Sequence, residues 1–286
     1  MTWIIAALCS AFFQCLLSET NRRYKISGAE LNCARVFVGT LALLPIVVWL
    51  PWPTNPYFYL IAFISGAIGG LGMRYFFRIS AQYNGRVANL YKPLRIFLMF
   101  SIWFCIDQSF RHNFLQDPWV MMGILGCMAI AISSVLIMRK NSIGWEAFLA
   151  SVPVSIMFTI SDVTVKLVIP WDMLVENIFV YVFISFFITA CLETVNLTQQ
   201  GKLKLVFLPS TLKAALVVGP LSLAVLFFAV MGFVLAPNPA YASMITLLVP
   251  VFLLVYHRIA NIPDDASPLA GTVLALSALA FAFLTL

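Results

Sequence analysis

The chain has 286 residues, of which 62% are hydrophobic and only 10% are charged, and its formal net charge is +6 at neutral pH. Soluble domains are about 45–50% apolar and about 25% charged, so this composition excludes a water-soluble globular protein. The apolar residues also fall into runs of about 18–25 residues, the length that a helix needs to cross the hydrocarbon core of a bilayer. We therefore predict an all-α integral membrane protein whose surroundings are membrane lipid.

Proline, glycine, asparagine and charged residues interrupt the apolar pattern and divide the chain into ten predicted transmembrane helices. The predicted spans lie near residues 2–18, 28–50, 57–77, 87–106, 118–138, 147–168, 172–195, 212–235, 240–257 and 267–286. The first run has no basic segment before it, so we interpret it as a retained helix and not as a cleaved signal. The loops are short, which predicts no soluble domain for nucleotide or nucleic acid.

The two halves of the chain show related patterns. A shift of 143 residues places Glu19 over Asp162, and each half closes with a short charged loop, a proline and a glycine-containing last span. We interpret residues 1–140 and 141–286 as two five-helix repeats within one membrane domain. Because each repeat has an odd number of spans, the second would enter the membrane from the opposite side, which makes the repeats inverted.

These features together resemble the EamA-like branch of the drug/metabolite transporter superfamily, over nearly the whole chain. The resemblance rests on ten spans, on Arg35 early in the second span, and on small residues before Pro93 and Pro250 in the fourth and ninth spans. The glutamate that family members often carry just after those two spans is absent. Its approximate replacements in the following loops are Asp107 after the fourth span and Asp264 or Asp265 after the ninth. The resemblance implies a central cavity, alternating access and peripheral fifth and tenth spans, and we expect the bacterial inner (plasma) membrane as the location.

Several cations lie inside the predicted spans, where an ionisable group costs about 2.5–3.5 kcal/mol on insertion scales and is a functional candidate by default. Arg35 and Arg95 lie about 10–12 Å deep at helical rise. With shallower residues they are expected to line a basic vestibule that suits a carboxylate or phosphate. Alternatively, the shallower cations extend their charges to water and mark the cytoplasmic side. The vestibule residues are Arg35, Arg74, Arg78, Arg86, Lys92 and Arg95.

Other polar and aromatic residues complete the predicted site. The sixth and seventh spans carry polar stripes at helical spacing, which line either a wet passage or a dry helix contact. The sixth-span stripe is Ser151, Ser155, Thr159, Asp162 and Lys166, and the seventh-span stripe is Asn177, Tyr181, Ser185, Thr189 and Glu193. The predicted substrate-binding residues are Gln14, Arg35, Arg74, Tyr91, Lys92, Arg95, Tyr181 and Tyr241. Burial disfavours the charged form of a carboxylate, so Glu19, Asp162 and Glu193 are candidates for coupling to protons. Asp162 is expected to pair with Lys166, four residues later.

No metal or cofactor is expected. His112 and His257 are isolated, and the six cysteines lie inside apolar runs without zinc spacing. The chain also has no G-x-x-x-x-G-K phosphate loop that would hydrolyse ATP.

We predict a secondary active or facilitative transporter, not an enzyme, acting as a monomer or homodimer. Its substrate is expected to be a small anionic or zwitterionic metabolite. One alternative is a flippase for a phosphate-linked lipid or glycolipid carrier, which the basic vestibule would also suit. A second is an integral-membrane enzyme, which would need a close cluster of acids or histidines.

The sequence leaves the orientation in the membrane open. Most basic loop residues lie in loops 19–27, 78–86, 139–146, 196–211 and 258–266. The positive-inside rule places that face in the cytoplasm and both termini outside. The family resemblance implies the reverse, with both termini in the cytoplasm.

Overall fold

The computed structural model describes residues 1–24, 26–83, 91–137, 145–262 and 267–285. Within these ranges the chain forms α-helices and one short 3-10 helix, Leu203–Phe207, and no strand. The α-helices are α1 Thr2–Tyr24, α2 Gly28–Val47, α3 Pro56–Tyr83, α4 Tyr91–Ile106, α5 Gln108–Gln116, α6 Pro118–Ile137, α7 Trp145–Val168, α8 Leu174–Gln199, α9 Pro209–Leu235, α10 Pro239–Thr246, α11 Val249–Ile259 and α12 Pro268–Leu284. Arg86 and the predicted loop acids Asp264 and Asp265 lie outside the described residues.

Eight helical segments in the described part are long and apolar enough to cross a bilayer, which confirms an all-helical chain of the integral-membrane type. They are Thr2–Thr20, Gly28–Val47, Pro56–Phe76, Pro118–Ile137, Leu149–Val168, Leu174–Gln199, Pro209–Leu235 and Pro239–Ile259. At the predicted fourth and tenth spans lie α4 and α12, which have 16 and 17 described residues. The sequence thus predicts ten spans, whereas eight segments of the described chain are long and apolar enough to cross a bilayer.

Two details of the helices differ from the predicted pattern. The predicted ninth span is two helices, α10 and α11, which meet at Leu247 and Leu248 just before Pro250, a residue that cannot donate a backbone hydrogen bond. The loop after the predicted fourth span contains a further helix, α5. The Asp107 carboxylate caps α5 by accepting the Phe110 backbone N–H at 2.9 Å. Asp107 thus has a structural role in this loop.

The helices form an inner bundle with one peripheral pair. Within the bundle, α1 packs along α9, α3 along α7 and α8, α2 along α8 and α9, and α4 along α7. The α10–α11 pair packs against α1, whereas α6 packs chiefly against α12. The acidic and basic side chains considered below lie on helices of the inner bundle.

Small residues bring α3 and α8 into close contact. The Thr189 hydroxyl donates to the Gly66 carbonyl oxygen at 2.8 Å, and the Ser185 hydroxyl donates to the Ala62 carbonyl oxygen at 3.4 Å. A Cβ at Gly66 would lie 2.8 Å from the Ser185 carbonyl oxygen and 2.9 Å from its Cα. Ser185 and Thr189 therefore take part in a dry helix contact. This is one of the two interpretations of the polar stripe in the seventh predicted span, the other being a wet passage.

We expect Gly66→Ala to lower the free energy of unfolding by about 1–3 kcal/mol, because the added methyl group meets rigid backbone atoms. Gly126→Ala on α6 is the matched control, since a Cβ there meets nothing within 4 Å. Thermal unfolding of the two variants in the same detergent measures the difference. Equal melting temperatures for both variants would contradict the close α3–α8 contact.

Candidate functional site

One polar network joins α2, α3 and α8 around Glu193, whose side chain is 1% exposed. Arg74 binds this carboxylate with two contacts of 3.0 Å, one from Nε and one from Nη2. Asn32 Nδ2 donates to the same carboxylate at 2.9 Å. Arg35 in turn donates from Nε and Nη2 to Asn32 Oδ1 at 3.0 and 2.8 Å. The network thus links two arginines to one carboxylate through paired, charge-assisted contacts.

Arg35 reaches this network because of helical spacing. Asn32 and Arg35 are three residues apart on α2 and therefore share a face. The Arg35 guanidinium also lies 5.6 Å from the ring centre of Phe186 on α8, within the range of a cation–π contact. Its side chain is buried, with 5% exposure.

A second polar centre lies between α4, α7 and α9. Arg95 forms an ion pair with Asp162, and its guanidinium lies 5.7 Å from the Phe158 ring centre and 5.3 Å from that of Phe233. The ring of Tyr91 lies 5.1 Å from that of Phe158. This arrangement surrounds one neutral ion pair with aromatic surface.

Lys166 does not pair with Asp162, contrary to the sequence prediction. Its ammonium group donates to the carbonyl oxygens of Phe233, Val234 and Ala236 at the carboxyl end of α9, with a distance of 3.0 Å for Val234. The last carbonyls of a helix lack intrahelical partners and attract cations, which explains this position. Asp162 is consequently available for Arg95.

A third acid–base pair joins α1 to α11. His257 Nε2 lies 3.2 Å from Glu19 Oε2, and both side chains are buried. Glu19 also lines a pocket of about 210 Å³ together with Thr20, Tyr24 and Tyr256. The sequence predicts His257 to be an isolated residue, because its partner Glu19 lies 238 positions away in the chain.

The remaining predicted residues have diverse surroundings. Lys92 is buried and donates to Gln14 Oε1 at 3.2 Å, so it links α4 to α1. Tyr181 packs against Phe58, and Tyr241 lies among the rings of Trp3, Phe110 and Phe281.

The predicted basic vestibule is not an open surface in the described part of the chain. Arg35 and Lys92 are buried, Arg74 and Arg95 are paired with acids, and Arg78 is exposed. The predicted substrate-binding and coupling residues are therefore divided among separate centres. Asn32 and His257 were not predicted as site residues, since a neutral polar residue or an isolated histidine gives no pattern in one sequence. Thr159 belongs to the polar stripe predicted in the sixth span.

An apolar groove lies beside the first network, between α2 and α8. It measures about 500 Å³ and is lined mainly by aromatic and aliphatic side chains, among them Phe37, Leu41, Phe183 and Phe187. None of the arginines described above lines it.

No family model and no curated protein matches this chain. A solved crystal structure, described only as that of a protein, is similar over 99% of this chain and 96% of its own, with a TM-score of 0.67 and 14% sequence identity. At this identity the similarity shows a shared fold and nothing about activity.

We expect Arg74→Ala to destabilise the folded protein by about 3–5 kcal/mol, because removing one partner leaves the buried Glu193 carboxylate uncompensated. Arg78→Ala removes an exposed arginine one helical turn away and is the matched control. Adding Glu193→Gln to Arg74→Ala should recover part of the loss, since the carboxylate charge that Arg74 compensated is then removed. Unfolding titrations of all three variants test this, and equal stability of Arg74→Ala and Arg78→Ala would contradict it.

Proposed function

We propose that this protein is a secondary active or facilitative transporter of a small anionic metabolite that works by alternating access. The observation that carries the proposal is that three acid–base pairs, each with a buried acid, join a helix of residues 1–140 to a helix of residues 141–286. These pairs are Arg74–Glu193, Arg95–Asp162 and Glu19–His257. Alternating access requires one half to move against the other, and ion pairs at the boundary can break and re-form during such a movement.

Stability alone is a poor explanation for these pairs. Replacing a buried ion pair with well-packed apolar residues is often neutral or stabilising. A static bundle would gain little from charges at the boundary between its halves. A transporter, in contrast, needs groups that exchange partners with a substrate or a proton.

We further propose ten spans in two inverted repeats, as in the drug/metabolite transporter superfamily. The helix contacts support this proposal because a contact between two helices has a counterpart between the two helices at the equivalent positions of the other half. The contact of α1 with α9 corresponds to that of α7 with α3, and α2 with α9 corresponds to α8 with α3. The Glu19–His257 pair of α1 and α11 likewise corresponds to the Asp162–Arg95 pair of α7 and α4.

The proposed substrate class rests on the guanidinium groups of Arg74 and Arg95. Arg74 already holds the Glu193 carboxylate with two parallel contacts, the geometry with which arginine recognises carboxylates and phosphates. Arg95 similarly holds the Asp162 carboxylate. A substrate anion would compete with these internal acids as the halves separate.

One observation favours the flippase alternative. The apolar groove between α2 and α8 lies beside the Glu193 network, and its size and lining suit an acyl or polyprenyl chain. A phosphate-linked lipid could place its tail there and its head group toward the arginines.

The test of the proposed function is uptake into proteoliposomes. We expect the native protein to accumulate one or more anionic solutes from an isotope-labelled metabolite mixture, measured by mass spectrometry with equal pH and with an alkaline interior. Arg95→Ala should abolish this uptake because the guanidinium is lost, whereas Arg78→Ala should retain it. Uptake that survives in Arg95→Ala would contradict the anion-binding role. Absence of soluble uptake, with movement of a fluorescent phospholipid between leaflets, would favour the flippase.

A further inference from the structure

The contacts between α4 and α7 follow one register. The Ser155 hydroxyl donates to the Tyr91 carbonyl oxygen at 3.0 Å, Asp162 binds Arg95, and the Lys166 ammonium lies 5.1 Å from the Trp103 ring centre. Residue numbers rise together along both helices, so the helices run parallel.

This register places Thr159 opposite Arg95. The offset between Tyr91 and Ser155 is 64 positions, and the same offset relates Arg95 to Thr159. Thr159 also lies between two α7 residues, Ser155 and Asp162, that both contact α4, so it shares their helix face. Its side chain is 1% exposed.

Two donor groups at this position, Arg95 Nε and Thr159 Oγ1, are buried and have no hydrogen-bond partner among the described residues. A buried polar group without a partner costs about 1–3 kcal/mol. The two arginines of the Glu193 network differ from Arg95 in this respect. Arg35 Nε donates to Asn32, and Arg74 Nε donates to Glu193. Of these three arginines, Arg95 alone keeps its Nε donor for an additional acceptor.

We propose that the centre between α4 and α7 is the binding site for the carboxylate of a small apolar monocarboxylate. This rests on the proposed transport function. One carboxylate oxygen accepts the Arg95 Nε–H and the other accepts the Thr159 hydroxyl proton. The rings of Phe158, Phe233 and Tyr91 supply an apolar wall for the rest of the molecule.

The charge of the centre decides between a carboxylate and a phosphate. Arg95 and Asp162 sum to zero, so a bound monoanion would leave one uncompensated negative charge in an apolar environment. One proton on Asp162 converts its carboxylate to a carboxylic acid and restores neutrality. A phosphate dianion would need two protons or another cation, and Lys166 is already engaged by the carbonyls of α9. The site therefore takes one monocarboxylate together with one proton.

The ionisable groups around Asp162 are consistent with one exchangeable proton. Arg95 and Tyr91 face it from α4, and Tyr181 approaches from α8. On α7 itself Lys166 is engaged by α9, and on α3 Arg74 is engaged by Glu193.

The test is calorimetric binding of benzoate to the full chain in lipid nanodiscs, in two buffers of different ionisation enthalpy so that proton uptake is measured. We expect benzoate to bind with uptake of about one proton, and inorganic phosphate to bind far more weakly. Thr159→Val should weaken benzoate binding by about tenfold or more, because a hydrogen bond to a charged group is lost. Thr159→Ser should bind nearly as the native chain does. Asp162→Asn should bind benzoate without proton uptake.

Thr164→Val is the matched control on the same helix, since the Thr164 hydroxyl donates to the Ile160 carbonyl at 2.7 Å within α7. It should bind as the native chain does. Equal binding by Thr159→Val and Thr164→Val, proton uptake by Asp162→Asn, or preference for phosphate would overturn the site. Uptake of anionic solutes without any benzoate binding would overturn this inference and leave the transporter proposal. Benzoate binding that needs Thr159, in a chain that moves no solute, would overturn the transporter proposal and support the site.

Discussion

The structure depends on the pairing of charges inside a protein that is mostly apolar. An isolated charge in such surroundings is expensive, so each buried acid must be matched by a donor or take a proton. Glu193, Asp162 and Glu19 each find a basic partner, and in each case the partner lies in the other half of the chain. The strongest polar contacts are consequently placed at the boundary where relative movement of the halves would act.

The two arginine centres differ in a way that assigns them different roles. Around Glu193, the contacts of Arg74 and Asn32 join α2, α3 and α8, and the Arg74 Nε donor is engaged by the carboxylate. Around Arg95, the ion pair leaves the Nε donor and the Thr159 hydroxyl without acceptors in the described structure. These unused donors favour ligand binding at the Arg95 centre.

The scaffold around these centres is built from close helix contacts. Gly66 lets α3 approach the backbone of α8, where the Thr189 hydroxyl supplies a hydrogen bond across the contact. Lys166 fixes the carboxyl end of α9 against α7. In lipid the hydrophobic effect does not drive helices together, so such close packing and interhelical hydrogen bonds set the positions of the side chains. The ion pairs are thus held in place by close helix packing and by interhelical hydrogen bonds.

The sequence by itself determined the class of the protein, because apolar runs of membrane length dictate helices in lipid. It also identified Arg95 and Asp162, since a charge within an apolar run stands out. It mispaired Asp162 with Lys166 and did not identify the role of His257, and it placed Thr159 in a polar stripe without showing which residue Thr159 faces. Helical spacing fixes neighbours three and four residues apart, but partners on different helices depend on which faces pack together. The tertiary structure alone decided those partners, because they are separated by many residues in the chain and meet only when the bundle forms.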